Sequence, residues 1–461
     1  MNSHLRYGFA LHPALPADLL DRLAAGADPE LARHLAGRPD LSRGQVRALA
    51  ARCPQAALRL AHGGLLRAGD VDPVRQPEPA LALLYEGRGD PSWPALFADD
   101  PDAARRVALA ECRGLPPAVE EVLAADREPE VVAELALWTA SPALLARLAH
   151  HPDAEVRRSV AGNEATPPEP LAALLDDLAD IRLQALGNPA TPAAAAARYA
   201  DDPSAPHRQA LAERADLPAD VQERFAVDPV PWVRGNLAEN AALAEPLFRT
   251  LADDDTYDVR RRLAHNPRIP LGVLARIAPV TRTGPTLLPR IAAATAAEVE
   301  QLAVSPVPGL RMFLAQRRDL PDAVRDALAA DRDAAVAKSI APHPGLSARL
   351  LQALLDRFGT AVAAGLAANP DAPAALLERL ATRQPPAGRA LRAIARHPNA
   401  TPAALLPCLA DPRARRLAAA HPALPPATVI ALLADEDRQT VEAAAANPAL
   451  SPDHLAGLLP D

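Results

Sequence analysis

The chain has 461 residues and a formal net charge of −8, with 49% hydrophobic residues but only 3% aromatic ones. This apolar content is too high for a disordered chain, and three scattered cysteines exclude a disulfide framework and favour a reducing, cytoplasmic compartment. The sequence has no run of about 18 apolar residues, which would be needed to predict a membrane-spanning helix, and residues 1–10 lack a signal-peptide pattern. Proline is the outlier, with 51 residues, about twice the usual proportion.

One motif recurs along the chain: V-R-x-x-L-A-x-N-P-x-L-P-x-x-x-L-x-x-L-A-x-D. Its Asn, here called the Asn position, serves as the marker of each unit. From Cys112 onward the spacing between markers is nearly always 25 or 26 residues, except for 28 and then 24 around His397. The markers are His12, Arg38, Cys112, Trp138, Asn163, Asn188, Arg214, Asn240, Asn266, Ala292, Arg317, His343, Asn369, His397, His421 and Asn447. About 17 units of about 26 residues therefore fill the sequence.

The regularity of the repeat divides the chain into three parts. Residues 1–62 form N-terminal repeats and a cap, residues 63–94 form an irregular segment rich in Pro and Gly, and residues 95–461 form the main array. Within that array, residues 279–290 and 383–389 depart from the motif. Such departures are either binding loops or drift in a tolerant repeat.

Each unit predicts two short helices. The first half, as in Arg157 to Gly162, is a short helix that Asn closes, because Asn tolerates the left-handed conformation. The second half has apolar residues at helical spacing and begins at Ser-Pro or Thr-Pro, with the hydroxyl expected at the N-cap. One helix pair cannot bury its apolar face alone, so stacked pairs predict an all-α solenoid.

These residues resemble the leucine-rich repeat variant (LRV) family, which is akin to HEAT-like helical repeats. The resemblance covers nearly the whole chain and implies a right-handed superhelix. The unit is about two residues longer than the usual LRV unit, which moves it toward HEAT-like packing of two helices. Some LRV proteins bind an iron–sulfur cluster, but Cys53, Cys112 and Cys408 lie far apart without a C-x-x-C motif. We therefore expect no cofactor and no metal.

Arginine recurs at one slot, six residues before the Asn position, and aspartate often precedes it by a further six. Stacked units would bring these groups together as a chain of charge-assisted hydrogen bonds, here called the Arg–Asp ladder. Its predicted members are Arg106, Arg157, Arg182, Arg208, Arg234, Arg260, Asp100, Asp176, Asp202, Asp228 and Asp254. The alternative role for these arginines is to grip an anion or a nucleic acid.

If the short helices line the concave face, the residues just after the Arg slot point toward a partner. These candidate partner-binding residues are Arg158, Gln184, Gln209, Asn236, Arg261, Arg262, Met312, Phe313 and Lys338. Met312 and Phe313 are the bulky apolar pair among them and suit a peptide anchor, or else Phe313 fills a gap in the core.

Motif searches predict no catalytic residues, because the sequence has no H-E-x-x-H, no phosphate-binding glycine loop and no G-x-S-x-G. The expected function is a non-catalytic scaffold that binds a protein or peptide along its concave surface. The alternative is nucleic-acid binding through an arginine-lined groove with Arg157-Arg158, Arg260-Arg261-Arg262 and Arg317-Arg318 at its core. The net charge of −8 favours the first.

Overall fold

The computed structural model describes residues 3–458, which fold into 35 α-helices and three short 3-10 segments with no β-strand in that range. These residues form two compact units. The first unit combines the N-terminal residues up to Arg38 with those from Ile269 onward, and the second unit runs from Pro39 to Arg268. The expected all-α repeat fold is confirmed.

The helices are numbered in chain order. The N-terminal part of the first unit contains α1 (Ser3–Leu11), α2 (Ala17–Ala25) and α3 (Pro29–Leu35). The second unit contains α4 (Arg43–Arg52), α5 (Pro54–His62), α6 (Pro77–Tyr85), α7 (Trp93–Ala98), α8 (Ala103–Ala110), α9 (Pro117–Ala124), α10 (Pro129–Trp138), α11 (Pro142–Leu148), α12 (Ala154–Gly162), α13 (Pro168–Leu174), α14 (Ala179–Gly187), α15 (Ala193–Ala197), α16 (Ala205–Ala212), α17 (Ala219–Phe225), α18 (Pro231–Glu239), α19 (Leu247–Ala252) and α20 (Tyr257–His265).

The remainder of the first unit contains α21 (Leu271–Ile277), α22 (Pro289–Ala292), α23 (Ala296–Ala303), α24 (Pro308–Leu314), α25 (Asp322–Ala329), α26 (Ala334–Ile340), α27 (Ala348–Phe358), α28 (Thr360–Ala367), α29 (Ala374–Ala381), α30 (Gly388–Ile394), α31 (Pro402–Leu405), α32 (Arg415–Ala419), α33 (Pro426–Leu432), α34 (Arg438–Ala445) and α35 (Pro452–Leu458). The 3-10 segments are Ala68–Asp70, Ala278–Val280 and Leu406–Ala410.

Helices that precede an Asn position form one row, here called the first row, and the others form the second row. In the second unit, successive first-row helices from α5 to α20 pack directly on one another, whereas most successive second-row helices do not. The core is aliphatic: the first-row helices α18 and α20 pack on each other and bury Val233, Leu237, Val259 and Leu263. Because the first row is the more closely spaced, its outer face is the concave side of this unit.

The Asn positions adopt a conformation that differs from the sequence-based expectation. Within the described residues, no residue other than glycine has a positive φ. Asn163, Asn188 and Asn240 are extended instead, with ψ of 124°, 122° and 122°. The prediction of a left-handed Asn was wrong, because in the extended conformation each of these side chains donates to carbonyl oxygens of the preceding unit.

Hydroxyl capping at the second helix occurs only in part of the array. Ser141 and Thr401 accept a hydrogen bond from the backbone N–H three residues on, as expected. Thr166 and Thr191 instead donate to the carbonyl oxygens of Val160 and Ala185 in the preceding helix. At these two units the second helix starts one residue later, so the hydroxyl joins the two helices rather than capping the second.

The N-terminal helix α1 packs on α34, so the first unit continues from residue 447 into residue 4 across the chain termini. Gly8 permits the contact, since a Cβ atom at this residue would lie 2.5 Å from the Cβ of Ala445 and 2.5 Å from the carbonyl oxygen of Glu442. His4 Nδ1 lies 2.5 Å from Glu442 Oε1 at the edge of the same interface. Helix α1 in turn packs on α3.

The irregular segments contain more repeat structure than their composition suggests. Residues 63–94 include the first-row helix α6, whose Leu81 and Leu83 are buried, although the second-row helix before it is reduced to the 3-10 segment at Ala68–Asp70. Within 279–290 the residues 281–288 form neither helix nor strand, and the first-row helix that follows, α22, is a single turn that begins at Pro289. Every helix in the described part of the chain is too short or too polar to traverse a bilayer.

Candidate binding surfaces

The Asn positions form a buried line of side chains that joins one unit to the next. Asn240 Nδ2 donates to the carbonyl oxygens of Ala212 at 2.9 Å and Arg214 at 2.7 Å, while its Oδ1 accepts from the backbone N–H of Ala242 at 2.8 Å. The same arrangement is found at Asn188, Asn266, Asn369 and Asn447. These side chains satisfy carbonyl groups at helix ends that would otherwise be buried without partners.

Histidine replaces Asn at four of these positions, and three of the histidines contact one carbonyl oxygen and one backbone N–H, whereas His343 contacts the carbonyl oxygen of Pro344. The ring nitrogens of His397 contact the carbonyl oxygen of Asn369 through Nε2 at 2.7 Å and the backbone N–H of Asn399 through Nδ1 at 3.0 Å. His421 repeats this scheme, and His12 extends it to Asn447 across the chain termini. These contacts assign a neutral ring with the proton on Nε2. The line is therefore structural and places no histidine at a surface site.

The Arg–Asp ladder has a fixed geometry in which each arginine joins the aspartate at the end of its own unit to the backbone at the end of the preceding unit. Arg234 Nε and Nη2 donate to both carboxylate oxygens of Asp254, at 2.6 and 3.0 Å, and Nη1 donates to the carbonyl oxygen of Asp228 at 2.7 Å. Equivalent bidentate pairs are Arg106–Asp126, Arg157–Asp177, Arg208–Asp228 and Arg311–Asp331. Each aspartate thus lies twenty residues after its arginine, at the end of the same unit, and the carbonyl oxygen six residues before the arginine belongs to the preceding unit.

These pairs change the protonation behaviour of both partners. The hydrogen bond to Asp254 raises the pKa of Arg234, and the hydrogen bond from Arg157 lowers the pKa of Asp177. Both side chains of the Arg106–Asp126 pair are more than nine-tenths buried. The guanidinium groups are therefore held within the protein.

Several predicted ladder residues occupy other positions. Asp176 accepts from the Tyr199 hydroxyl at 2.6 Å, and Asp177 takes the ladder position instead. Arg182 Nη1 lies 3.8 Å from Asp202 Oδ2, and its other nitrogens donate to the backbone carbonyl oxygens of Leu175 and Asp177. The Asp202 carboxylate is occupied by His207, whose Nδ1 lies 3.1 Å from Oδ1.

Asp100 and Arg260 take part in the ladder only through hydrogen bonds that involve a backbone carbonyl oxygen. Asp100 offers its carbonyl oxygen to Arg106, at 2.7 Å. Arg260 donates to the carbonyl oxygen of Asp254 and meets no aspartate, because Val280 stands twenty residues later.

The candidate partner-binding residues differ in exposure. Arg158, Gln184 and Lys338 are exposed, whereas Gln209, Arg261, Arg262 and Met312 are half-buried and Asn236 is buried. Phe313 is 1% exposed and belongs to the core of the first unit, which corrects its placement as a surface anchor. Its position in the helix points it between the two rows, because it follows Leu310 by three residues.

Asn236 and Arg262 meet on the concave side of the second unit. Arg262 Nη1 donates to Asn236 Oδ1 at 2.7 Å, and Asn236 Nδ2 donates to Glu213 Oε1 at 2.7 Å. The Arg262 guanidinium carbon lies 5.0 Å from the ring centroid of Trp232, which is 54% exposed. We call Trp232, Asn236, Arg262, Glu213 and Glu239 the Trp232 surface. Sequence reasoning missed Trp232, although it lies one helical turn before Asn236.

An apolar groove of about 540 Å³ lies across α5, α6 and α8, on the same first row. Leu58, Leu81, Tyr85 and Ala108 provide its apolar wall. Tyr85 is exposed despite its size. No motif in the sequence marked this groove, because it is formed by three units whose repeat signal is weak.

The arginines proposed for a nucleic-acid groove are engaged within the protein. Their partners are Asp177 for Arg157, Glu155 for Arg158, Asp258 for Arg261, Asp319 for Arg317 and the carbonyl oxygen of Pro342 for Arg318.

The cysteines are buried thiols, and burial raises the pKa of Cys112 and of Cys408 to about 12. In residues 3–458, His, Cys, Asp and Glu side chains do not gather in threes that suit a metal ion.

The fold and these surfaces define an all-α tandem-repeat protein. No family model matches the sequence, and no curated protein matches it. Among solved structures, the chain is similar to a leucine-rich repeat variant with a novel repetitive structural motif, at 22% identity over 49% of this chain and 87% of that one, with a TM-score of 0.32. It is also similar to the Pds5–Scc1 complex, described in relation to cohesin function, at 13% identity over 83% of this chain and 56% of that one, with a TM-score of 0.14. TM-scores this low carry no argument about function.

Proposed function

We propose that this protein is a non-catalytic scaffold that binds an extended segment of a protein partner along the concave, first-row face of its second unit. The observation that carries the proposal is the exposed ring of Trp232, held in place by Arg262. Tryptophan and arginine are the side chains most enriched at the energetic centres of protein interfaces.

The geometry of the Trp232 surface suits recognition because it is ordered before a partner arrives. Arg262 is fixed by Asn236 and by Glu239, whose Oε2 lies 3.4 Å from Arg262 Nη1. Gly235 keeps the approach open, since a Cβ there would lie 2.8 Å from Arg262 Cδ. A pre-ordered aromatic and cationic pair loses little conformational entropy on binding.

The apolar groove across α5, α6 and α8, which Tyr85 lines, offers a second apolar contact on the same row of helices. Glu78, Asp102 and Glu111 stand on its rim with His62 and Arg105. A partner with apolar side chains flanked by basic residues would complement this lining.

The finer classification follows from the repeat motif. We propose that the unit is an LRV-like repeat with HEAT-like packing of two helices, on the strength of the V-R-x-x-L-A-x-N-P motif. We also propose a cytoplasmic location, supported by the free, buried thiols of Cys53, Cys112 and Cys408.

Replacing Trp232 with alanine tests the proposal. Wild-type and Trp232→Ala proteins serve in parallel as baits in extracts of the native host, with quantitative mass spectrometry of the captured proteins. We expect a partner that the variant recovers poorly, and a peptide from that partner should bind the variant about 30-fold more weakly, or about 2 kcal/mol. Fluorescence anisotropy of the labelled peptide measures this difference.

Val304→Ala is the matched control, because Val304 is an exposed apolar residue of the first unit, outside the proposed face. Its captured proteins should equal those of the wild type. Equal capture by the Trp232→Ala and Val304→Ala baits would contradict the proposal. Tyr85→Ala should weaken the same partner if the bound segment extends along the row to the groove.

A further inference from the structure

A cavity of about 700 Å³ lies in the first unit and is lined by five arginines: Arg392, Arg396, Arg413, Arg415 and Arg416. The one carboxylate in the lining is Asp437. This carboxylate accepts from the backbone N–H of Gln439 and from the backbone and hydroxyl of Thr440, so it caps α34. The cavity therefore carries a strong excess of positive charge, unlike the paired arginines of the ladder.

The cavity exists because the repeat is shortened at this point. The Asn positions His397 and His421 are 24 residues apart, and the first-row helix between them, α32, has five residues. Neighbouring first-row helices in most of this unit pack closely, and α30 packs on α28 in this way, but on its other side α30 contacts the 3-10 segment at Leu406–Ala410 more than it contacts α32. Residues at the end of that segment, Leu409 and Ala410, form the cavity wall.

Arg415 shows what this shortening does to the ladder. It keeps one ladder contact, an ion pair of 2.9 Å between Nη2 and Asp435 Oδ2. Its Nε is buried without a hydrogen-bond partner. The Arg415 side chain is 43% exposed, against 13% for Arg234 in a complete ladder pair. The Nε donor that binds a carboxylate in a complete ladder pair therefore has no carboxylate here, and the guanidinium group is more exposed than in the ladder.

The preceding ladder arginine, Arg392, has lost its acidic partner altogether, since Pro412 stands twenty residues after it. In the described residues, the guanidinium groups of Arg392, Arg396 and Arg413 form neither a hydrogen bond nor an ion pair. Arg416 donates to the neutral side chain of Gln439 at 2.7 Å. Arg392 is also half-buried, which makes its charge less screened than that of a surface arginine.

We propose that this cavity binds a phosphate group carrying two or more negative charges. Guanidinium groups bind phosphate oxygens bidentately, and several converging guanidiniums favour a multiply charged oxyanion over a single carboxylate. The volume exceeds that of one phosphate ion and suits a diphosphate or a phosphorylated side chain with its neighbours. The site lies in the first unit and does not depend on the Trp232 surface.

Isothermal titration calorimetry of the full chain at low ionic strength tests the site with inorganic pyrophosphate and with a phosphoserine peptide. We expect binding that the double variant Arg392→Ala/Arg413→Ala weakens about tenfold or more, with unchanged thermal stability, because neither guanidinium holds the fold together. Tighter binding of the peptide assigns the ligand to a phosphorylated protein, and equal or tighter binding of pyrophosphate assigns it to a free phosphate compound.

Arg332→Ala is the matched control, because it removes the same charge from an exposed arginine of the first unit outside the cavity. An equal loss in this control, or the absence of binding by both probes, would overturn the proposal. So would tighter binding of a glutamate-rich peptide or of an oligonucleotide than of either phosphate probe. Failure of this site would leave the Trp232 experiment unaffected.

Discussion

An asparagine at an Asn position makes hydrogen bonds to the preceding unit as well as to the turn of its own unit. Asn240 is the clearest example, because its amide contacts the ends of α16 and the turn after α18 at once. A buried amide with this many partners is costly to remove, since the carbonyl and N–H groups around it stay buried. The Asn positions thus explain how units with little aromatic content stack in register.

Asn240→Ala should lower the free energy of unfolding by about 3 kcal/mol, because three buried backbone groups lose their partners. Asn240→His should cost clearly less, since His397 makes the equivalent contacts from the equivalent position. Urea denaturation of both variants measures the difference. If the two substitutions cost the same, the side chain at this position acts through packing and not through its hydrogen bonds.

His12 makes the stability of the contact between the chain termini depend on pH. Burial lowers the pKa of His12 from its ordinary value of 6.5, with a further contribution from the charge of Arg38. The unfolded chain therefore binds this proton more readily than the folded chain does. The stabilisation is present above about pH 6.5 and is lost as the pH falls below it.

The variant His12→Asn should retain the two contacts and remove this titration. Thermal melting of both proteins between pH 7.5 and about 5 should show the wild type losing stability relative to His12→Asn as the pH falls. Parallel curves over the whole range would show that His12 does not titrate with folding.

At the level of helices, the contact between α1 and α34 depends on a residue without a side chain. Its neighbour on α34 is the small residue Ala445, and Gly365 of α28 approaches Ala341 in a similar way. Gly8 faces both Ala445 and the carbonyl of Glu442, at distances that no Cβ tolerates. Glycine at this residue lowers the helix propensity of α1, but it permits the close approach of α1 to α34.

Gly8→Ala should destabilise the first unit by about 1–3 kcal/mol, because the added methyl group forces α1 away from α34. Gly272→Ala is the control, since Gly272 also lies in a helix of the first unit but a Cβ there has no neighbour within 4 Å. On helix propensity alone, both substitutions would stabilise by about 0.5–1 kcal/mol. Opposite signs in a denaturant titration support the contact; two stabilising substitutions would refute it.

At the level of the molecule, the sequence predicted the repeat and its helices but not all of their contacts. The apolar spacing within each unit identified the two helices, because that spacing directly encodes which face is buried. The ladder arginines were located by their recurrence, while their aspartate partners lie twenty residues downstream, at the end of the same unit, and not six residues upstream. Asp176 and Asp177 are adjacent, and only the packing of Tyr199 separates their roles.

The candidate binding surfaces were harder to predict, for a physical reason. Phe313 and Trp232 are both aromatic residues on first-row helices, yet one is in the core and the other is exposed. Residues three or four apart lie on the same face of a helix, so a change of one position in the sequence moves a side chain to a different face and changes its exposure. The Arg392–Arg416 cavity depends on a two-residue shortening whose consequence is set by how α30 and α32 are spaced.

Local spacing and backbone chemistry act within a unit, so the all-α repeat, its helix pairs and the recurring polar positions could be predicted from the amino-acid pattern. The packing of units on one another, in contrast, places α1 on α34, exposes Trp232 beside Arg262 and brings five arginines to one cavity. These features join residues far apart in the chain, and the free energy of such contacts depends on distances between units that no local pattern records.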